Sequence, residues 1–352
     1  MTRAILRCFA GLLLLSGAVA CGGGAKGAAP ETIQSVEARL EDRTPPDYVA
    51  GDDRGGRLWK TEKQFYARHG HEPVWMEGCR PRPAAAELIA ALESIRADGL
   101  DPADYDLHAL AALRTERSKN PLKRNAVRPE QVADADLRLT YMFLKVASHL
   151  QTGRVPPASV DPHWFGEQRQ VDLGAVLDRA LGGAGVGPVL RSLVPQHEQY
   201  GLLKQTLARY REIEARGGWP TTIEPRRLPP GAHGPAVAAL RQRLAATGDL
   251  PAEAATGDAV DAALVDALKR FERRQGLDPD GTLDAEVVRR LDVPVAERIR
   301  EIELNLERWR WLPETLGDRY IVVNVPTFTL SAVEGGKVTL IMRVVAGERD
   351  NP

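Results

Sequence analysis

Any chemistry in this chain would have to come from a few side chains. A thiol nucleophile would be one of three cysteines, Cys8, Cys21 or Cys79. Cys79 lies in MEGCRPRP, a connection punctuated by proline and glycine, with no strand or helix terminus before it to favour the thiolate. It reads as an incidental, partly buried thiol. HGHE at His69–Glu72 offers two imidazoles that would share one face of a strand, plus a carboxylate, but no further ligand follows at metal-site spacing. HEQY at His197–Tyr200 lacks the second histidine of a helical zinc-protease motif. GGAGVG at Gly182–Gly187 has the glycines of a phosphate loop, yet it follows a helix and runs into Pro188, whereas a phosphate-cradling loop joins a strand to a helix. DPDG at Asp278–Gly281 is a turn, because a calcium loop needs more oxygens than one such segment supplies. The indoles of ERWRW, Glu307–Trp311, suit stacking on a sugar ring, but at helical spacing Trp309 packs inward. These residues give no metal site, no cofactor site and no catalytic residue.

The elements that would position them are mostly helical. Residues 84–99 carry a continuous apolar face that stops at Gly99, and Leu139, Met142, Phe143, Val146 and Leu150 form one stripe at helical spacing. Residues 202–218 repeat the pattern and end on Gly217-Gly218. A proline-rich boundary follows at 219–235. Beyond it lies a compact unit with two helices ended by Gly248 and Gly276, then a short helix with Asp284 and Glu286 near its positive end. A further amphipathic helix presents Ile299, Ile302, Leu306 and Trp309. After residue 318 the period changes to that of strands, and Gly335-Gly336 between β-branched runs predicts a tight hairpin. The fold class is mainly α, a multi-helix scaffold plus a small three-helix domain, followed by the first strands of a β-rich domain.

Composition narrows the partners. Lys and Arg total 47 against 48 Asp and Glu, so no basic excess exists to neutralise a phosphate backbone, and nucleic acid is excluded as an expected partner. Residues 1–20 read as a signal peptide: Arg3 and Arg7 precede a twelve-residue apolar run too short to span a bilayer. The segment SGAVAC that ends on Cys21 resembles a bacterial lipobox, with Ala18 where Leu is usual. The resemblance implies a lipid on Cys21 and a membrane contact through that anchor, with residues 21–50 as a flexible tether. With Cys8 removed and Cys21 acylated, no intrachain disulfide is expected in the mature protein.

Residues 236–291 resemble a small three-helix peptidoglycan-binding domain, through Leu240, Arg241, Leu244, Gly248, Phe271, Gln275, Gly276, Leu277, Asp280, Gly281 and Leu291. The whole order is similar to that of large periplasmic L,D-transpeptidases with a helical scaffold: FYARHGHEPVWMEG, FLKVASHLQTGRVPP, GGWP, the small domain, then ERWRWLP and DRYIVVNVP. The resemblance implies a scaffold over 51–225, a peptidoglycan-binding domain over 231–294, and a linker helix with the start of a catalytic domain over 295–352. It also implies an exported, membrane-anchored protein whose partner is peptidoglycan. Family members use a Cys thiolate, activated by a His and an oxyanion hole, to pass an acyl group between peptide stems. The last Cys here is Cys79 and the last His is His233, so the expectation is a truncated chain that binds peptidoglycan without catalysis. The alternative is a non-catalytic lipoprotein that tethers membrane to wall. Arg241, Arg274 and Gln275, polar groups beside the small domain's apolar positions, are the candidate peptidoglycan contacts.

Overall fold

The computed structural model describes residues 28–42, 44–49, 55–106, 128–164, 166, 169–221 and 229–345. The segment expected to be a signal peptide and Cys21 lie outside the described residues. The α-helices in chain order are α1 (Pro30–Glu41), α2 (Gly55–Arg68), α3 (Pro83–Ser94), α4 (Pro129–Thr152), α5 (Leu173–Arg179), α6 (Val186–Arg191), α7 (Glu198–Ala215), α8 (Pro235–Ala246), α9 (Ala262–Arg274), α10 (Ala285–Leu291) and α11 (Val295–Arg310). Strands β1 (Met76–Glu77) and β2 (Arg80–Pro81) form a small antiparallel pair, and β3 (Arg319–Asn324), β4 (Thr329–Glu334) and β5 (Lys337–Arg343) form a sheet in the order β3-β4-β5. The protein is mainly helical, as expected. Among the described residues no helix is long and apolar enough to cross a membrane.

The chain divides into two compact units. The first holds Met1–Ser94, Asp101–Ser148 and Val171–Leu193. The stretch expected to be a flexible tether enters it as α1, which buries Thr32, Val36 and Leu40. Those three positions recur every fourth residue and so share one helical face, although the segment is polar on average. α4 is buried more widely than one stripe: Leu137, Thr140, Tyr141 and Leu144 are covered along with Leu139, Met142, Phe143 and Val146. Such a helix is the core of its unit rather than its surface. Its Asp136 is also buried, and there its carboxylate accepts the backbone N–H groups of Val74, Trp75 and Met76 at 2.9, 2.7 and 2.9 Å. The Tyr66 hydroxyl donates to it at 2.5 Å. Three amides on one carboxylate fix the turn that leads into β1 and place Trp75 in the interior.

The second unit holds Ile95–Leu100, His149–Gln170 and Val194–Pro352, so the expected scaffold range 51–225 contributes to both units. Here α7 packs along α11 through Tyr200, Leu207, Ile213, Ile299, Ile302 and Leu306. At the end of α11, Arg310 is buried and donates to the Tyr200 hydroxyl at 3.1 Å, to the Glu307 carboxylate at 3.0 Å and to the Asp98 carbonyl. Glu307 in turn accepts from the Arg154 and Val155 amides, the second at 2.9 Å. Trp311 is buried while Trp309 only packs at the edge of the cluster, beside His197. Trp309 thus packs part-buried against the cluster as expected, and Trp311, at the C-cap of α11, is the more enclosed indole of ERWRW.

The hairpin forms as the sequence predicts. Gly335 and Gly336 have φ of 56° and 74°, as a type I′ turn needs, and Glu334 pairs with Lys337. Val323, Val325 and Ile341 are 44%, 55% and 66% exposed. Two changes test the buried charges. Asp136→Ala leaves three interior amides without an acceptor and should destabilise the first unit by at least about 3 kcal/mol in chemical denaturation. Arg310→Met removes the cation paired with buried Glu307 and a donor to the Tyr200 hydroxyl, and should cost the second unit about 3–5 kcal/mol.

Candidate functional site

The candidate binding module begins where 231–234 runs beside 258–260. Gly231 N–H donates to the Val260 carbonyl at 2.9 Å and Val260 N–H returns to Ala232 at 2.8 Å. This short zipper sets α8 against α9. Asp261 caps α9 by accepting the Leu264 amide at 2.8 Å, and Asp284 caps α10 through the Val287 amide at 2.8 Å, each satisfying a helix-end donor. Gly248 and Gly276, at φ of 80° and 73°, end α8 and α9 in the left-handed conformation that glycine adopts without a Cβ clash. Leu240, Leu244, Leu264, Leu268, Phe271 and Leu291 then close one apolar core.

The three candidate contacts end up in different places. Arg241 is 4% exposed, and its guanidinium is used inside the module: Nε donates to the Ala254 carbonyl at 2.9 Å, and Nη1 to the Ala259 carbonyl at 2.9 Å and Asp261 at 3.0 Å. Its hydrogen bond and charge hold the Asp261 carboxyl below its ordinary range, helped by the Leu264 amide. Arg241 therefore braces the loop before α9 and does not face solvent. Arg274 lies at the end of α9, paired with Asp249 at 2.6 and 3.2 Å while much of its side chain stays accessible. Gln275 is the half-buried residue that follows, at the C-cap of α9. The structure thus brings Arg274 and Gln275 together and turns Arg241 inward.

Three charged residues that were not singled out hold the same module together. Arg243 is buried, with its guanidinium 4.1 Å from the Trp219 ring centre, and it donates to the Leu291 carbonyl at 2.7 Å. Burial pulls its pKa down to about 10, which leaves it charged at neutral pH. Asp249 is buried too, and accepts from Thr247 Oγ1 at 2.6 Å as well as from Arg274. Glu272 accepts the Gly281 amide at 2.8 Å and so ties DPDG to α9, while burial pushes its carboxyl upward. One signal was available in the sequence: Arg243 stands next to Leu244, inside the apolar stretch of α8, where a charge is uncommon.

The motifs set aside in the sequence have definite surroundings in the fold. His69 Nδ1–H donates to the Phe65 carbonyl at 2.8 Å and its Nε2 approaches Asp178 at 3.0 Å, whereas His71 has a φ of 59° and faces Glu37. The segment is a helix end followed by a turn, not the strand that would have aligned both rings. No group of His, Cys, Asp and Glu among the described residues could hold a metal ion. In GGAGVG the Val186 amide donates to the Glu87 carboxylate at 2.9 Å, so a side chain of the protein already occupies that helix start. Cys79 is disulfide-bonded. The expected unpaired thiol is corrected by that bond, and a sulfur in a disulfide is not a nucleophile. What remains is a polar surface on a braced three-helix core, suited to non-covalent binding.

Comparison with known families agrees with this reading. A scaffold domain family model matches residues 60–207, and a peptidoglycan binding domain family model matches residues 233–291. No curated protein matches the chain. If Arg241 is a brace, Arg241→Ala should lower the module's free energy of unfolding by about 2–4 kcal/mol, the cost of losing a buried hydrogen-bonded charge. At temperatures where the variant is folded, its affinity for purified peptidoglycan should stay at the wild-type level, as measured by cosedimentation. The chain carries a scaffold domain and, after it, a peptidoglycan-binding domain, which supports a cell-wall protein that binds peptidoglycan.

Proposed function

We propose that this chain is the scaffold and wall-binding portion of an L,D-transpeptidase-type protein, and that residues 1–352 bind peptidoglycan without transferring peptide stems. The observation that carries the reading is the match of residues 233–291 to a peptidoglycan binding domain. The three-helix core that would present such a surface is closed in the structure. Support for the transpeptidase class comes from the order of parts: scaffold, binding domain, then α11 with ERWRW and the strands from DRYIVVNVP onward. Acyl transfer would need a thiolate beside a His and oxyanion donors. Within 1–352 no Cys follows Cys79 and no His follows His233.

The same proposal places the chain outside the cytoplasmic membrane, on a lipid anchor at Cys21. The disulfide at Cys79 bears on this point, because the only other cysteines are Cys8 and Cys21. A sulfur in a lipid thioether cannot also join a disulfide. In a mature chain that has lost Cys8, a lipidated Cys21 and an intrachain bond from Cys79 exclude one another.

The purified chain should cosediment with peptidoglycan sacculi and stay in solution with cellulose. Failure to bind sacculi while folded would remove the reading. Incubation with a carbapenem should add no mass, and an adduct on Cys79 would contradict the non-catalytic assignment. Non-reducing mass spectrometry of the mature N-terminal peptide should find acyl chains on Cys21, whereas a peptide cross-linked to Cys79 would eliminate the anchor.

A further inference from the structure

Glu62 poses a separate problem in the first unit. It sits in α2 with no exposed surface, and neither carboxyl oxygen has a hydrogen-bond partner among the described residues. One turn further along the same helix, Tyr66 donates to Asp136 and lies 2.8 Å from the Thr140 hydroxyl. The two acids therefore share one buried cluster with opposite provisions. Asp136 is met by three amides and a phenol, all donors that favour an anion. Glu62 is met by none.

Among the described residues, the charged and titratable groups around Glu62 offer it no paired cation. From the 47–49 turn comes Tyr48, a phenol held neutral by burial. From α4 come Asp136, Tyr141 and Arg138. The Arg138 guanidinium lies 4.9 Å from the Tyr48 ring centre and pairs with Asp106. From α5, Asp178 faces Arg68 and His69, more than a turn beyond Glu62 along α2. Two carboxylates enclosed together without a cation cannot both ionise without the combined cost of desolvation and mutual repulsion.

We propose that Glu62 is a neutral carboxylic acid in the folded protein, and that the Glu62–Asp136 pair is a buried proton store that makes this unit's stability depend on pH. Burial, with a smaller contribution from Asp136, drives the Glu62 carboxyl well above its ordinary range. Burial also lifts Asp136 to about 6 against the opposing pull of its hydrogen bonds. Both native values exceed those of the unfolded chain, roughly 4. Above that pH the native state holds protons that the unfolded state has released, so stability is complete in mild acid and falls as pH rises through the native values.

The test follows hydrogen exchange of α2 and the α4 core in the full chain from pH 5 to 8, corrected for intrinsic exchange, in wild type and Glu62→Gln. Opening in the wild type should grow about tenfold per pH unit for each retained proton. Toward pH 8, where Asp136 has ionised, Glu62→Gln should remove that slope. An unchanged slope in the variant overturns the proposal. A measurement on the wild type alone guards against a variant that fails to fold: infrared spectra at pH 7.5 should contain the carbonyl band of a protonated carboxylic acid, and its absence overturns the proposal equally.

Discussion

A guanidinium closed off from water needs acceptors on every side, and Arg310 finds them on three separate segments. A phenol from α7, a backbone carbonyl from the 95–98 turn and a carboxylate from α11 itself converge on it. Burial pulls its pKa down, but Tyr200, Glu307 and Asp98 outweigh that and keep it raised. Apolar helix faces tolerate some sliding, because dispersion and hydrophobic burial have little direction. Hydrogen bonds to a planar fork do not tolerate it. The Arg310 cluster therefore sets the register of α7 on α11, and through Glu307 it also fixes the backbone at 154–155. The strands begin within ten residues of this point.

The same logic recurs wherever a charge enters a core in this protein. Asp136 organises the turn before β1, Arg241 braces the loop before α9, and Arg243 joins Trp219 to the end of α10. Each interior charge holds two or more segments that apolar contact alone would leave loosely related. One consequence concerns recognition of the wall. The two most deeply buried arginines of the binding module are consumed by its own architecture, so ligand contacts must come from side chains with donors or acceptors to spare, and Arg274 with its exposed edge is better placed than Arg241.

The sheet of β3, β4 and β5 is organised by other means. Its register comes from the backbone ladder and the Gly335-Gly336 turn, with an irregularity at Ala332/Val333, and neither requires a covering layer. Val333 is buried, whereas Ile321, Val338, Leu340 and Met342 stand open. Exposed apolar surface of that extent is uncommon on a monomeric protein.

Much of this was legible in the sequence. Helical spacing located α3, α4, α7 and α11, glycine stops located the ends of α8 and α9, and the double glycine located the hairpin, because local sterics and periodicity decide these within a few residues. The same local pattern, Thr32, Val36 and Leu40, would have given α1 had it not been masked by polar neighbours. Other features were decided only by tertiary structure: which charges lie inside, that Arg241 points inward while Arg274 does not, that Trp311 is more enclosed than Trp309, and that Glu62 and Asp136 share a cluster across seventy residues of chain. A sequence records that a residue is charged. Whether that charge meets water or a fixed set of donors depends on segments far away along the chain, and only folding brings them together.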